Sequence, residues 1–214
     1  CDMEQLQAQA KAPLAVREEG ETLVVETLYG EKRLPRQTVL AERCRSCKTK
    51  KMACYDELLG EDGTDCGDGR MEGVRRLEAM TPDERFRFWQ GELSRCIRCN
   101  ACRNVCPACS CEKCVFDNPA SGVENKAAAN SFEENLFHII RAFHVAGRCT
   151  DCGECSRVCP QHIPLHLLNR KLIADMNELY GPYQAGADLE SRPPLMDFRF
   201  DDPEPSTARR GGAQ

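Results

Sequence analysis

Residues 96–114 read CIRCNACRNVCPACSCEKC, and Cys96, Cys99, Cys102 and Cys106 within them are spaced C-x2-C-x2-C-x3-C, with Pro107 next. The same spacing returns at Cys149, Cys152, Cys155 and Cys159, again followed by a proline, Pro160. Thiolates at this spacing hold [4Fe–4S] cubes: three cysteines of a run serve one cube and the fourth goes to the other. A short loop wrapped round a cube returns a sulfur at every third residue, while the fourth iron is reached only from elsewhere in the chain. Proline after the last cysteine stops the turn and brings no amide that needs a partner. Zinc sites usually take four ligands as two pairs, whereas eight cysteines in two matched runs fit two cubes. Crossed ligation assigns Cys96, Cys99, Cys102 and Cys159 to one cluster, and Cys149, Cys152, Cys155 and Cys106 to the other.

The chain of 214 residues has sixteen cysteines, so eight remain: Cys1, Cys44, Cys47, Cys54, Cys66, Cys109, Cys111 and Cys114. Two C-x2-C pairs, Cys44/Cys47 and Cys111/Cys114, can close a third site of four sulfurs. Four thiolates suit a third [4Fe–4S] cluster, the reading taken here, and also suit zinc. Cys109 is a substitute ligand for that site, and a local set of Cys44, Cys47, Cys54 and Cys66 is a competing arrangement. Cys1 is given no role. The basic residues around Cys44, including Arg43, Arg45 and Lys48, read as a solvated loop. His138, His144, His162 and His166 read as surface or core histidines, because cysteines already account for both cubes.

Helices must deliver these loops. Thr81 is an N-cap with Pro82 at the first helical position and Glu84 completing a capping box, which opens a helix that runs into Cys96. Phe86, Phe88 and Trp89 on it are expected to pack against the cluster loop. A shorter helix is expected over about 71–80, after a glycine-rich loop at 60–70. Between the two runs lie 42 residues, too many for a compact hairpin link. Within them Ser131-Phe132-Glu133-Glu134 reads as a second capping box, and Phe132, Leu136, Ile139, Ile140 and Phe143 follow helical spacing. Another helix follows Pro164, with Leu165, Leu168, Leu172, Ile173 and Met176 on one side. Upstream, Leu23–Val25 and Thr27–Gly30 read as a strand ending in a turn, paired with Gln37–Leu40 in a hairpin. The fold class is therefore mainly α: a helical dicluster domain with a small β-containing N-terminal segment and an extended C-terminal tail. The divisions are 1–40, the N-terminal segment; 41–80, a cysteine loop and linker helix; 81–180, the dicluster domain; and 181–214, a tail that is disordered or binds a partner. In the tail, the apolar cluster Leu195–Phe200 favours an ordered arm as much as disorder.

Composition sets the compartment. Aromatics are only 6 % of the chain, so much of its folding energy is expected from metal–ligand bonds. Residues 1–20 are polar and mixed in charge, with no sign of a signal peptide, and crowded thiolates need reducing surroundings. No apolar run reaches the length of a membrane span, and the expectation is a cytoplasmic protein. The formal net charge is −5 with thiols counted neutral, and each oxidised cube with four thiolates adds about −2. Nucleic acid is a poor partner for such a chain, whose basic residues form no stripe. Within 96–106 the charged residues are Arg98 and Arg103; within 149–159 they are Asp151, Glu154 and Arg157. Summing to +2 and −1, they predict a higher potential for the Cys96/Cys99/Cys102 cluster, by about a hundred millivolts where the charges are partly buried.

The stretches RCIRCNACRNVCPACSCEKC and GRCTDCGECSRVCPQHIPLHLLNRKL resemble the two-cluster, ferredoxin-type electron-transfer subunits of anaerobic oxidoreductases. These accompany heterodisulfide reductases, formate dehydrogenases, deazaflavin-dependent hydrogenases and tungsten aldehyde or benzoyl-CoA reductases. The CPACSCEKC extension and the upstream Cys44-x2-Cys47 are more particular and resemble a formate-dehydrogenase-β-like group. Cys54 and Cys66 match no pattern of that group. The resemblance, over about half of the chain, implies a non-catalytic subunit passing single electrons between a redox donor or acceptor protein and a catalytic oxidoreductase subunit. That partner would be of tungsten or molybdenum, flavin or hydrogenase type. The alternative is a free ferredoxin-like carrier with two clusters and a structural zinc site. A reductase with its own nucleotide site is disfavoured, since the sequence has neither G-x-G-x-x-G nor a P-loop.

Overall fold

A computed structural model of the chain describes residues 13–45, 47, 51–60, 67–118 and 131–194. The chain divides into two compact units, one of residues 1–52 with 56–73 and one of residues 53–55 with 74–214.

The first unit holds a three-stranded antiparallel sheet, β1 (Pro13–Glu19), β2 (Thr22–Thr27) and β3 (Gly30–Pro35), in the order β1-β2-β3. Thr27 opposite Gly30 leaves Leu28-Tyr29 as a two-residue turn, where Thr27 Oγ1 donates to the Gly30 carbonyl at 2.8 Å. The strand and turn expected at 23–30 are thus present, but the expected pairing with Gln37–Leu40 is not. Those residues fall on a helical turn, α1 (Arg36–Val39), and the sheet partners are β1 and β3. Pro35 ends the strand, and the Thr38 hydroxyl donates back to its carbonyl at 2.8 Å. Val39 then folds under the sheet to pack with Leu23, Val25 and Leu34. A short helix, α2 (Glu42–Arg45), carries Cys44.

The second unit is helical. Helix α3 (Glu72–Glu78), which follows a 3-10 turn of the first unit at Gly67–Met71, leads into it, and α4 (Pro82–Leu93) comes next. Thr81 caps α4 as the sequence requires: its hydroxyl accepts from the Glu84 amide, and the Glu84 carboxylate accepts from the Thr81 amide at 2.9 Å. Further on lie α5 (Ala101–Asn104), α6 (Ser131–His144), α7 (Glu154–Arg157) and α8 (Leu165–Tyr180). Helix α4 packs on α6 and α6 on α8, while α5 packs on α7 and α7 on α8. The core is Leu93, Phe116, Phe137, Ile163 and Leu165 together with Cys102, Cys155 and Cys159. Phe116 and Phe137 stack with ring centroids 4.8 Å apart. Trp89 packs against this core as expected of the α4 aromatics, but Phe86 is exposed.

Helix α6 is turned differently from its apolar stripe. Ile139 and Phe143 are exposed, at 43 % and 62 %, and the buried face is Glu134, Phe137, His138, Arg141 and Ala142, with Val145 just past the helix end. The Glu134 carboxylate accepts from Arg98 Nε at 2.9 Å, and the capping box expected of Ser131 with Glu134 falls on residues outside those described. The side chains of 131–133 lie outside the described residues. A polar face buried this way needs polar or charged company, and the cysteine loops supply it. Residues 181–194 lie on the chain's own second cysteine loop, where Gln184 Nε2 donates to the Cys149 carbonyl at 3.5 Å. The Leu195–Phe200 cluster lies outside the described residues.

Candidate iron–sulfur centres

The two cysteine loops repeat one backbone design. Arg98 and Asn100, two and four residues after Cys96, have φ of 53° and 62°; Asp151 and Gly153, at the same offsets from Cys149, have 58° and 71°. Left-handed backbone costs about 1–2 kcal/mol at a non-glycine residue, so three such residues persist only where something repays them. In both loops the fold aims an amide at sulfur: Arg98 N donates to Cys96 Sγ and Asp151 N to Cys149 Sγ, each at 3.4 Å. Asn100 and Gly153 then start matching helical turns, α5 and α7, that carry Cys102 and Cys155 into the core.

These turns gather the sulfurs in two sets. Cys96, Cys99, Cys102 and Cys159 line one cavity, walled by Phe137, His138, Ile163 and Leu165. Cys106, Cys149, Cys152 and Cys155 line a second, with His166 and Asn169. Each set has three cysteines from one run and the last cysteine of the other. Four sulfurs per cavity, amides aimed at sulfur and a soft donor set all fit a [4Fe–4S] cube. Burial pushes the Cys96 and Cys149 thiols up to about 12, and Cys155 to about 11. Cys106 moves the other way, to about 6, chiefly because the Cys109 thiol hydrogen-bonds to it.

Polar side chains surround the two sets. His138 is 1 % exposed and places Nε2 3.2 Å from Cys96 Sγ. A thiolate only accepts, so Nε2 carries the proton in this pair. Burial, then Arg141 and Arg98, hold the imidazole neutral by lowering its pKa to about 3. On the other set, Asn169 Nδ2 lies 3.7 Å from Cys155 Sγ. The loop charges are paired: Arg98 with Glu134 at 2.9 Å, Arg103 with Asp117 at 2.7 Å, Arg170 with Asp151 at 2.8 Å and Arg157 with Glu154 at 2.8 Å. Each charge of the two loops thus faces a counter-charge, so the sums of +2 and −1 taken along the sequence leave out Glu134, Asp117 and Arg170. What separates the sets is the closer His138 contact on the first. That histidine, expected to be a surface or core residue, is a core residue, and its contact with a sulfur is what the sequence did not show. The signal available was its place on α6, in line with Glu134 and Arg141.

Of the remaining cysteines, Cys109, Cys111 and Cys114 line a third cavity of about 410 Å³ with Arg103, Arg141, His144 and Arg148. Cys44 and Cys47 belong to the first unit, Cys111 and Cys114 to the second. Cys54 is exposed, and Cys1 and Cys66 lie outside the described residues. His166 Nδ1 on α8 is 2.8 Å from Ser156 Oγ, which ties the second loop to that helix.

Residues 92–163 match the 4Fe-4S dicluster domain family. The chain is also 32 % identical over 110 residues to a protein of Methanocaldococcus jannaschii named F420-dependent formate dehydrogenase subunit beta, covering 51 % of this chain and 28 % of that one. A second relative, F420-dependent formate dehydrogenase 1 subunit beta of Methanococcus maripaludis, is 33 % identical over 107 residues, covering 50 % of this chain and 26 % of the relative. The chain thus spans little more than a quarter of the length of these relatives. The ferredoxin-type resemblance read from the sequence is thus matched by a 4Fe-4S dicluster domain and by two formate dehydrogenase beta subunits. No helix among the described residues is long and apolar enough to cross a membrane.

Proposed function

We propose that this chain is an electron-transfer subunit that passes single electrons between a redox partner protein and a catalytic oxidoreductase subunit through two [4Fe–4S] clusters. The observation that carries the reading is the pair of four-cysteine cavities joined through one core, in which Cys102 and Cys155 are both buried. A cube held there takes up and returns one electron. The rest of the work belongs to the chain. Cys96, Cys99, Cys102 and Cys159 hold one group, and Cys149, Cys152, Cys155 and Cys106 the other. Phe137, Ile163 and Leu165 keep water from the first set, and residues 181–194 cover part of the second loop. The amides of Arg98 and Asp151, with His138 and Asn169, place donors on sulfur, which favours the more negative, reduced state.

A third metal centre, at Cys109, Cys111 and Cys114 of the helical unit, belongs to the same proposal. Its support is the cavity that Cys111 and Cys114 share with Cys109 and three arginines, surroundings suited to an anionic group. The similarity to formate dehydrogenase beta subunits makes a formate-oxidising catalytic subunit the first partner to test. Metal and sulfide analysis of the anaerobically purified protein decides the centres: about eight irons per chain mean two cubes and about twelve mean three. Eight irons with one zinc would make the third site structural. A chain without iron would overturn the proposal, and a monomer that binds no catalytic subunit would reduce it to a free carrier.

A further inference from the structure

Helices α4, α6 and α8 leave an apolar groove between them. Its two lobes, of about 350 and 550 Å³, share Trp89, Ile139 and Leu168. Phe143 lines one lobe and Phe86 the other, and both are 62 % exposed. Contiguous apolar surface of this kind marks a place where something docks. The floor of the groove matters to the first cysteine set, because Trp89 and Leu168 pack against the core that holds Cys102 and Cys159. The last described residues of the chain sit at one end of it. Pro193 and Pro194 lie against Gly147, just past the end of α6: a Cβ at Gly147 would come within 3.8 Å of Pro193 and 3.9 Å of Pro194. Back along α6 from Gly147 come Phe143 and then Ile139, the latter about 12 Å away at 1.5 Å per residue.

Residues 195–200, LMDFRF, follow Pro194 directly and hold every large apolar side chain beyond it. In an extended chain alternate side chains share a face, which groups Met196, Phe198 and Phe200 apart from Asp197, Arg199 and Asp201. Six extended residues span about 20 Å, enough to run from Gly147 past Ile139. We propose that residues 195–200 lie in the α4/α6/α8 groove of their own chain, antiparallel to α6, with Met196, Phe198 and Phe200 turned in against Phe143, Ile139 and Phe86. Asp201 and Asp202 then follow at the end of the groove lined by Arg85. The tether at Pro194 favours this chain's own groove over that of a second copy, since it fixes a high local concentration of the segment. Seated there, the arm closes the apolar wall behind the Cys96 set. The inference goes beyond the electron-transfer reading and does not depend on it.

The test is limited trypsin digestion of the anaerobically purified full chain, with fragments read by mass spectrometry, on wild type, F143E and F86E. Both substitutions fall on exposed side chains, and metal content and helical circular dichroism check that the fold is kept. A seated segment is cut only when it opens, so cleavage after Arg199 is expected to be slow in the wild type and about tenfold faster in F143E. Cleavage after Arg209, beyond the apolar residues, should be alike in all three. Equal rates at Arg199 in wild type and F143E overturn the proposal. Protection that grows with protein concentration also overturns it, by placing the segment on a second copy. If F143E does not keep the fold, F86E decides: faster cutting at Arg199 supports the proposal and an unchanged rate overturns it. Hydrogen exchange of the wild type needs no variant, and amides of 195–200 that exchange as in an unfolded peptide overturn the proposal outright.

Discussion

At the scale of single residues, the two cysteine sets are alike in backbone and unlike in the side chains that touch sulfur. His138 contacts Cys96 at 3.2 Å, whereas the nearest counterpart, Asn169 on Cys155, stands at 3.7 Å. A hydrogen bond worth about 1 kcal/mol more to the reduced form corresponds to roughly 40 mV for one electron. H138L is therefore expected to lower the potential of the Cys96 set by about that much and leave the Cys149 set unmoved, which a redox titration of the variant would check. The Asp151–Arg170 pair, 6 % and 5 % exposed, is a different case. Removing one partner strands a buried charge, so R170M should cost about 3–5 kcal/mol in thermal unfolding, and D151N/R170M should recover part of it. If R170M alone unfolds like the wild type, the pair is not the lock it looks to be.

At the scale of elements, α4 delivers the chain into the first loop and its N-terminus is held by the Thr81–Glu84 box. T81A is expected to cost about 1 kcal/mol, read as a lower denaturant midpoint with an unchanged slope. The box also predicts a pH dependence. Hydrogen bonds from Thr81, the backbone one first, lower the Glu84 pKa below its ordinary 4.5. A carboxylate with a depressed folded pKa stabilises above its unfolded value and stops doing so as pH falls through the folded one. The stability gap between wild type and E84A should be full above pH 4.5 and close at lower pH. A gap that widens in acid would contradict the capping geometry. Helix α6 shows the opposite kind of element, in which hydrophobic periodicity points to the wrong face. Ile139 and Phe143 stay exposed while Glu134, His138 and Arg141 are buried.

At the scale of the whole chain, the helical unit places three cysteines, Cys102, Cys155 and Cys159, inside its hydrophobic core. A core built round metal ligands depends on the metal for its stability. Chelating or oxidising the iron of the native protein should therefore melt α6 and α8 along with the iron chromophore, measured as parallel losses of helical circular dichroism and visible absorbance. The sheet of the first unit, packed through Leu23, Val25, Leu34 and Val39, contains no cysteine. Its signal should survive the treatment. A helical signal that outlasts the iron would show a core able to stand without it.

Ligand spacing, helix caps and a turn at Gly30 are local properties, written within a few residues, and they were readable directly. So were the cysteine runs, the Thr81 cap, the helix after Pro164 and the strand at Leu23–Val25. The sequence also carried the order of the two loops, because two copies of one spacing imply two copies of one turn. Tertiary structure alone decided which charges are free. Arg98 lies 36 positions from Glu134, and Arg170 lies 19 from Asp151, so a count along the loop could not cancel them. It also decided the phase of α6. A sequence pattern scores burial by hydrophobicity, whereas this helix is buried against sulfur, where a histidine finds a partner that an isoleucine could not use.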